Sequence, residues 1–165
     1  MLITYQDIRN VRPIADNIID EKRIAPYIEE AERLDVMPAI GTELYRQLDE
    51  DESAMSEYLR TLFRDGGYYD CYGKWFAGIN ATIAYLAYTR FVKNNSVNVT
   101  AFGVVSKSTN FSEPVEEKTL VRHANNAEKI GLEYLRQCVD FLKAHGLICN
   151  PKTSNRATKF KSIGN

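Results

Sequence analysis

The stretch from Phe76 to Val92, FAGINATIAYLAYTRFV, has no polar face when it is plotted as a helix. Its large apolar side chains recur on one side at helical spacing, and alanines and tyrosines fill most of the remaining positions. A helix that is apolar all round is buried in a core. The uncharged run ends at Arg90, so it is shorter than the roughly 20 apolar residues that cross a bilayer. We therefore predict a buried central helix in a compact, mainly α-helical bundle, and no membrane span.

The charge distribution divides the chain into an acidic body and a basic end. The net charge is −1, but from Phe141 onward there are five Lys or Arg residues and no Asp or Glu. That segment carries +5, so residues 1–140 carry −6. Such an asymmetry predicts that the tail docks onto a negatively charged partner. The alternative is a tail that is simply solvated.

Cysteine usage and the N-terminal sequence indicate a reducing compartment. The three cysteines, Cys71, Cys138 and Cys149, are odd in number and form no CxxC pair, so neither a disulfide framework nor a zinc site is expected. The opening sequence MLITYQDIRN has no basic segment followed by an apolar one, so no signal peptide is expected. Together these features predict synthesis in a reducing cytoplasm.

Periodicity and capping residues predict four shorter helices before the central one. Thr4 is a candidate N-cap for a helix over residues 5–10. A second helix spans residues 20–35 and ends before Pro38, with Glu29, Glu30 and Glu32 facing water. Thr42 and Ser53 are the expected N-caps of the third helix, over residues 43–49, and of the fourth, which ends near Arg64. The expected inward side chains of the second and fourth helices are Ile24, Tyr27, Ile28, Ala31 and Leu34, and Met55, Tyr58, Leu59, Leu62 and Phe63.

An aromatic segment follows the glycines Gly66 and Gly67, which end the fourth helix. Residues 68–75 are expected to form a short hairpin or an aromatic-rich loop. Because Tyr and Trp are enriched at protein interfaces, its rings are candidate subunit-interface residues. The alternative is that they cover the end of the bundle. The candidates are Tyr68, Tyr69, Tyr72 and Trp75.

Residues 97–111, VNVTAFGVVSKSTNF, form the one strand-prone segment and predict a two-stranded β-hairpin or extended arm. An isolated hairpin is marginal in water, so this one needs its own subunit or a neighbour to pack against. Its exposed edge would suit strand addition across subunits. The candidate interface residues here are Val97, Val99, Phe102, Val104 and Val105.

The longest predicted helix spans residues 113–145, with acidic residues at its start and basic ones at its end, as the helix dipole favours. Its inward stripe is expected to be Leu120, Ala124, Ala127, Gly131, Tyr134, Leu135, Cys138 and Leu142. We divide the chain into a helical domain, residues 1–146, and a basic tail, residues 147–165. The composition of the tail predicts flexibility when it is free. Its candidate partner-docking residues are Lys152, Arg156, Lys159, Phe160, Lys161 and Ile163.

No catalytic signature stands out in the chain. The spacings of phosphate-binding, dinucleotide-binding, zinc-peptidase and serine-hydrolase motifs are missing. We therefore expect no catalytic residue, no cofactor and no metal. Cys138 lies on an apolar stripe, where a small core residue is the ordinary role of a free cysteine. Arg90, at the end of the central helix, must pair with a carboxylate or with helix C-terminal carbonyls, so we expect a structural ion pair.

Three strings in the chain carry a family resemblance. The first contains Tyr27-Ile28-Glu29-Glu30-Ala31-Glu32 and continues through Pro38 and Ile40-Gly41 to Leu44-Tyr45. The second is NVTAFGVV over residues 98–105 with SEPV over residues 112–115, and the third is IGLEYL over residues 130–135. In this order they resemble phage head-to-tail connector proteins, the adaptor or ring proteins, and especially those of crAss-like phages of gut Bacteroidales. The resemblance covers roughly residues 2–145.

The resemblance implies a helical bundle with a long β-arm that assembles as a homo-oligomeric ring, typically a dodecamer. The ring would lie below the portal protein at the head-tail junction of the virion, after synthesis in the host cytoplasm. It would dock tail or other ring proteins. Double-stranded DNA would pass through its lumen without sequence-specific binding, and the acidic body suits such a conduit because a basic lumen would retain the phosphates. The family brings no catalytic residues.

Two other classes remain open from the residues alone. One is a non-enzymatic nucleic-acid-binding or adaptor module that uses the +5 tail. The acidic body and the lack of a helix rich in Arg, Lys and Asn count against DNA binding. The other is a small enzyme, which a deep pocket with strongly perturbed titratable groups would indicate.

Overall fold

The computed structural model shows a mainly α-helical bundle with a long C-terminal helix and two short β-hairpins. It describes residues 1–12, 21–50, 55–68, 75–95, 97–100, 103–106 and 117–148. The helices are α1 (Tyr5–Val11), α2 (Glu21–Ala31), α3 (Met37–Ile40), α4 (Thr42–Asp49), α5 (Glu57–Asp65), α6 (Gly78–Asn95) and α7 (Glu117–Ala144). The strands are β1 (Gly67–Tyr68), β2 (Trp75–Phe76), β3 (Val97–Thr100) and β4 (Gly103–Ser106). These elements confirm the predicted fold class.

The helix α6 is the centre of the bundle and packs against α1, α2, α5 and α7. Its side chains are buried on all sides, which confirms the prediction from its sequence. The two buried threonine hydroxyls of α6 donate hydrogen bonds to its own backbone, Thr82 to Gly78 O at 2.9 Å and Thr89 to Tyr85 O at 3.0 Å. Burying them therefore leaves no unpaired donor. No helix in the described part of the chain is long and apolar enough to cross a bilayer.

Small residues bring α7 close to α6 along the predicted stripe. Ala124 and Ala127 are fully buried, and a Cβ added to Gly131 would lie 2.9 Å from Leu86 Cδ2. The helix ends as expected before Gly146, where φ is +67° and Leu147 N–H donates to Leu142 O at 2.9 Å. The predicted start of this helix, residues 113–116, lies outside the described residues.

The prediction that Pro38 ends the second helix is wrong. A π-helical turn, Glu32–Val36, follows α2 and leads directly into α3, so the helical path ends only at Gly41, where φ is +92°. Within that turn Met37 N–H donates to Glu32 O, five residues back. The turn widens the backbone just before the proline, whose ring would clash in a regular α-helix. It also changes the helical register, and Leu34, predicted to face inward, is 65% exposed.

The prediction that Glu32 faces water is also wrong. Its side chain is 4% exposed, and Glu32 Oε1 accepts a hydrogen bond from Leu2 N–H at 2.7 Å. The hydroxyl of Tyr45 also bonds to Glu32, and burial together with this carboxylate raises the pKa of Tyr45 above its ordinary value. The carboxylate therefore joins the N-terminal segment, the π-helical turn and α4.

Replacing Glu32 with alanine is expected to lower the free energy of unfolding by about 2–6 kcal/mol. The change leaves the buried N–H of Leu2 and the hydroxyl of Tyr45 without their acceptor, and each unpaired buried group costs about 1–3 kcal/mol. Urea denaturation measures the loss. The matched control is Glu29→Ala, which breaks only the exposed pair with Arg33 and should cost less than about 1 kcal/mol. Equal losses in the two variants would contradict the role of Glu32.

The N-termini of α4 and α5 also differ from their predictions. Gly41, not Thr42, occupies the N-cap of α4. Ser56 is the N-cap of α5, where its hydroxyl accepts from Leu59 N–H at 3.4 Å, so the role assigned to Ser53 is wrong. Tyr58 falls in the first turn of α5 and is 68% exposed, contrary to its place in the predicted stripe. By contrast, α1 begins after Thr4 as predicted.

Cys138 is a fully buried core residue, as its sequence context predicts, and it lies 3.5 Å from the Thr82 hydroxyl. Burial raises the pKa of its thiol from 9.0 to about 12. Below pH 9 the folded and unfolded states both keep the proton. As the pH rises from 9 toward 12, only the unfolded state loses it, so this group's contribution to stability falls across that window.

The free energy of unfolding is accordingly expected to decline above pH 9, and the Cys138→Ala variant should show a shallower decline than the wild type. The variant removes one group that releases its proton on unfolding, while buried tyrosines remain in both proteins. Urea denaturation between pH 7.5 and pH 10.5, under reducing conditions, measures the two slopes. Parallel slopes would show that Cys138 titrates normally in the folded state.

Candidate functional site

A run of aromatic rings crosses from the first hairpin to the core helices. Trp75, in β2, packs edge-on against Tyr134 of α7, with ring centroids 5.9 Å apart. Tyr134 in turn meets Tyr85 of α6 at 5.6 Å, and the Arg12 guanidinium carbon lies 5.5 Å from the centre of the Tyr85 ring. Burial raises the pKa of Tyr134. We call Trp75, Tyr85 and Tyr134 the aromatic surface; Trp75 is 49% exposed and is its accessible edge.

The aromatic surface includes only part of the predicted candidate set. The short hairpin is confirmed, with Tyr68 paired to Trp75 across β1 and β2. The Tyr68 side chain and the whole of Tyr69 and Tyr72 lie outside the described residues. Sequence reasoning did not connect Tyr85 and Tyr134 with Trp75, because they lie on two separate helices.

A second surface combines ion pairs with an exposed leucine. Arg90 Nη1 lies 2.6 Å from Asp35 Oδ2, which confirms the predicted ion pair. Lys93 Nζ, one turn further along α6, lies 2.7 Å from Glu128 Oε2. Both pairs line a small groove of about 180 Å³ beside Leu132. We call these residues the ion-paired groove. Leu132 is 50% exposed and offers an apolar contact between ordered charges, as at the edge of an interface.

The second hairpin is a two-stranded antiparallel sheet with Val97 opposite Ser106 and Val99 opposite Val104. Among the strands that the structure describes, β3 and β4 pair only with each other, so each has one edge that no described strand covers. The side chains of Val97, Val99, Val104 and Val105, and Phe102 as a whole, lie outside the described residues. So does the set of predicted tail residues, Lys152, Arg156, Lys159, Phe160, Lys161 and Ile163.

Cys138 is a buried thiol whose raised pKa keeps it protonated at neutral pH, which does not suit a nucleophile. In the described ranges, no three His, Cys, Asp or Glu side chains are grouped to hold a metal ion. Aromatic rings, ordered ion pairs and an open hairpin edge are all means of binding another macromolecule.

These features define a small helical bundle with two short β-hairpins. Residues 36–159 match the family model described as "Family of unknown function (DUF6712)". Because the match covers about three quarters of the chain, from the last residue of the π-helical turn to 15 residues beyond α7, the chain belongs to this family. No curated protein and no solved structure matches the chain.

Proposed function

We propose that this protein is a non-enzymatic structural component of a phage virion, which forms an oligomeric ring between the portal protein and the tail. The ring continues the DNA channel and docks tail components. The resemblance of three strings in the chain to head-to-tail connector proteins supports this proposal.

The open edge of the β3–β4 hairpin carries the proposal. A two-stranded hairpin alone is marginal in water, and the principal contacts of β3 and β4 among the described elements are with each other. Pairing of either edge with the neighbouring subunit would satisfy the free backbone groups. Repeated by rotation, one such contact closes a ring.

Two chemically different surfaces support a head-to-tail contact. A ring interface joins unlike patches of identical subunits, so each subunit needs two of them. The aromatic surface offers rings, and the ion-paired groove offers fixed charges beside Leu132. We assign them to the two sides of the subunit interface.

The experiment replaces residues 97–106 with a Gly-Ser linker of equal length and follows assembly by mass photometry, with and without the cognate portal protein. We expect the wild-type chain to assemble, alone or on the portal, and the linker variant to stay monomeric with unchanged helical circular dichroism. The matched control is Tyr58→Ser, which alters an exposed side chain on α5. A linker variant that assembles like the wild type would contradict the role of the hairpin.

The +5 segment from Phe141 onward supports a second proposal, a nucleic-acid-binding or adaptor module that acts through its tail. Truncation after residue 148 separates the two proposals. Loss of duplex binding with intact assembly would favour the tail module as a separate function. If the truncated chain loses assembly but keeps duplex binding, the tail takes part in subunit contacts of the ring.

A further inference from the structure

The first half of α7 presents a positively charged face. Lys118, Arg122 and Lys129 are exposed there, with the exposed amides of Asn125 and Asn126 between them. They border an open cavity of about 920 Å³, and every described residue that lines it belongs to α7. We call these five residues the basic face. They show that α7 is rich in Lys, Arg and Asn on one side, although no such helix is expected from the sequence.

The charges of the basic face are not neutralised by described neighbours. In the part of the chain that the structure describes, no carboxylate pairs with Lys118, Arg122 or Lys129. The adjacent carboxylate, Glu128, is bound by Lys93 of α6 at 2.7 Å. The second half of α7 differs, because Arg136 is bound there by both Glu133 and Asp140.

The spacing of the cations suits a regular polyanion. Offsets of four and seven residues keep Lys118, Arg122 and Lys129 on one side of the helix, over about 16 Å at roughly 1.5 Å per residue. One strand of duplex DNA carries a phosphate about every 3.4 Å of helix axis, so this length matches about five phosphates. Lys, Arg and Asn side chains are all common donors to phosphate oxygens.

We propose that the basic face binds the phosphate backbone of double-stranded DNA without reading its sequence. A second copy of the chain fits less well, because several exposed carboxylates of the described part are already engaged by arginines of their own helices. Examples are Glu29 by Arg33 at 2.7 Å and Glu43 by Arg46 at 2.8 Å. The inference goes beyond the ring proposal and does not depend on it, since a single subunit presents the whole face.

The test measures binding of the full chain to a fluorescent 30-base-pair duplex of arbitrary sequence between 50 and 200 mM KCl. The variant K118Q/R122Q/K129Q is compared with R33Q/R46Q/R136Q, which removes the same net charge from arginines that are already paired. Circular dichroism verifies that both variants are folded. We expect the first variant to bind at least ~10-fold more weakly at 100 mM KCl. Its slope of log affinity against log salt should fall by about 2–3, since each phosphate contact contributes about 0.9.

The control variant is expected to bind within about twofold of the wild type. Equal losses in the two variants, or no loss in either, would overturn the inference.

A third variant, K152Q/R156Q/K159Q/K161Q, tests the tail. If duplex binding is lost only in this variant, the inference is also overturned. If the basic-face variant fails to assemble in mass photometry but binds the duplex normally, the face contacts a second copy and the inference is wrong. Absence of a ring together with retained duplex binding would contradict only the ring proposal.

Discussion

Replacing Gly66 with alanine is expected to lower the free energy of unfolding by about 4–5 kcal/mol, or to prevent folding. Gly66 joins α5 to β1 with φ at +80°, a backbone conformation that costs other residues of order 1–3 kcal/mol. A Cβ at this position would also lie 2.4 Å from Phe76 O and 2.7 Å from Ala77 C. Both are backbone atoms, so the start of α6 would have to move away from the end of α5.

The control for this prediction is Gly41→Ala. Gly41 has φ at +92° and no heavy atom within 4 Å of an added Cβ, so it isolates the backbone strain from the steric clash. We expect it to cost about 1–3 kcal/mol. Urea denaturation of both variants gives the comparison. A Gly66 variant no less stable than the Gly41 variant would show that α6 and α5 can separate there without loss.

Replacing Phe141 with alanine is expected to lower the free energy of unfolding by about 3–5 kcal/mol, the range for a large side chain removed from a packed core. Phe141 is 1% exposed. Its ring stacks on Phe76 with centroids 4.9 Å apart and lies 5.7 Å from Phe63. The three rings join α5, β2 and α7, so the cavity would lie where these elements meet and would be lined by other rings.

Leu132→Ala, on the same helix, is the matched control. Leu132 is 50% exposed, so its truncation should change the free energy of unfolding by less than about 0.5 kcal/mol. Thermal or urea denaturation measures both variants. A cost for Phe141→Ala below about 1.5 kcal/mol would mean that the core collapses around the missing ring. The account of a closely packed aromatic junction would then be wrong.

The main elements of the fold could be predicted because their signals are local. The apolar circumference of α6 and the apolar stripe of α7 depend only on residue spacing. The structure places α6 over Gly78–Asn95 and α7 over Glu117–Ala144, so Phe76, which the spacing predicts inside the central helix, lies in β2 instead. The π-helical turn before Pro38 could not be predicted, because proline usually ends a helix, whereas here the helical path continues to Gly41. The burial of Glu32 could not be predicted for a similar reason: its partner Leu2 is 30 residues away, and the periodicity that continues from α2 places the carboxylate in water.

The contact surfaces could be predicted only in part. The Gly-Gly pair and its aromatic neighbours indicate the first hairpin, but nothing local connects Trp75 with Tyr134, 59 residues later. In the sequence, Glu117 and Glu128 stand next to Lys118 and Lys129, so the positive charge of the basic face is not evident there. Only the structure shows that Glu128 pairs with Lys93 of α6, so its charge does not neutralise the cations of the basic face.

The central claim is that identical copies of this helical bundle join through the β3–β4 hairpin into a ring. Negative-stain imaging of the full-length chain, alone and mixed with the cognate portal protein, tests it most directly. The account predicts ring-shaped particles with an open centre, either in the chain alone or only after the portal is added. Single subunits that remain dispersed in the presence of portal would contradict it.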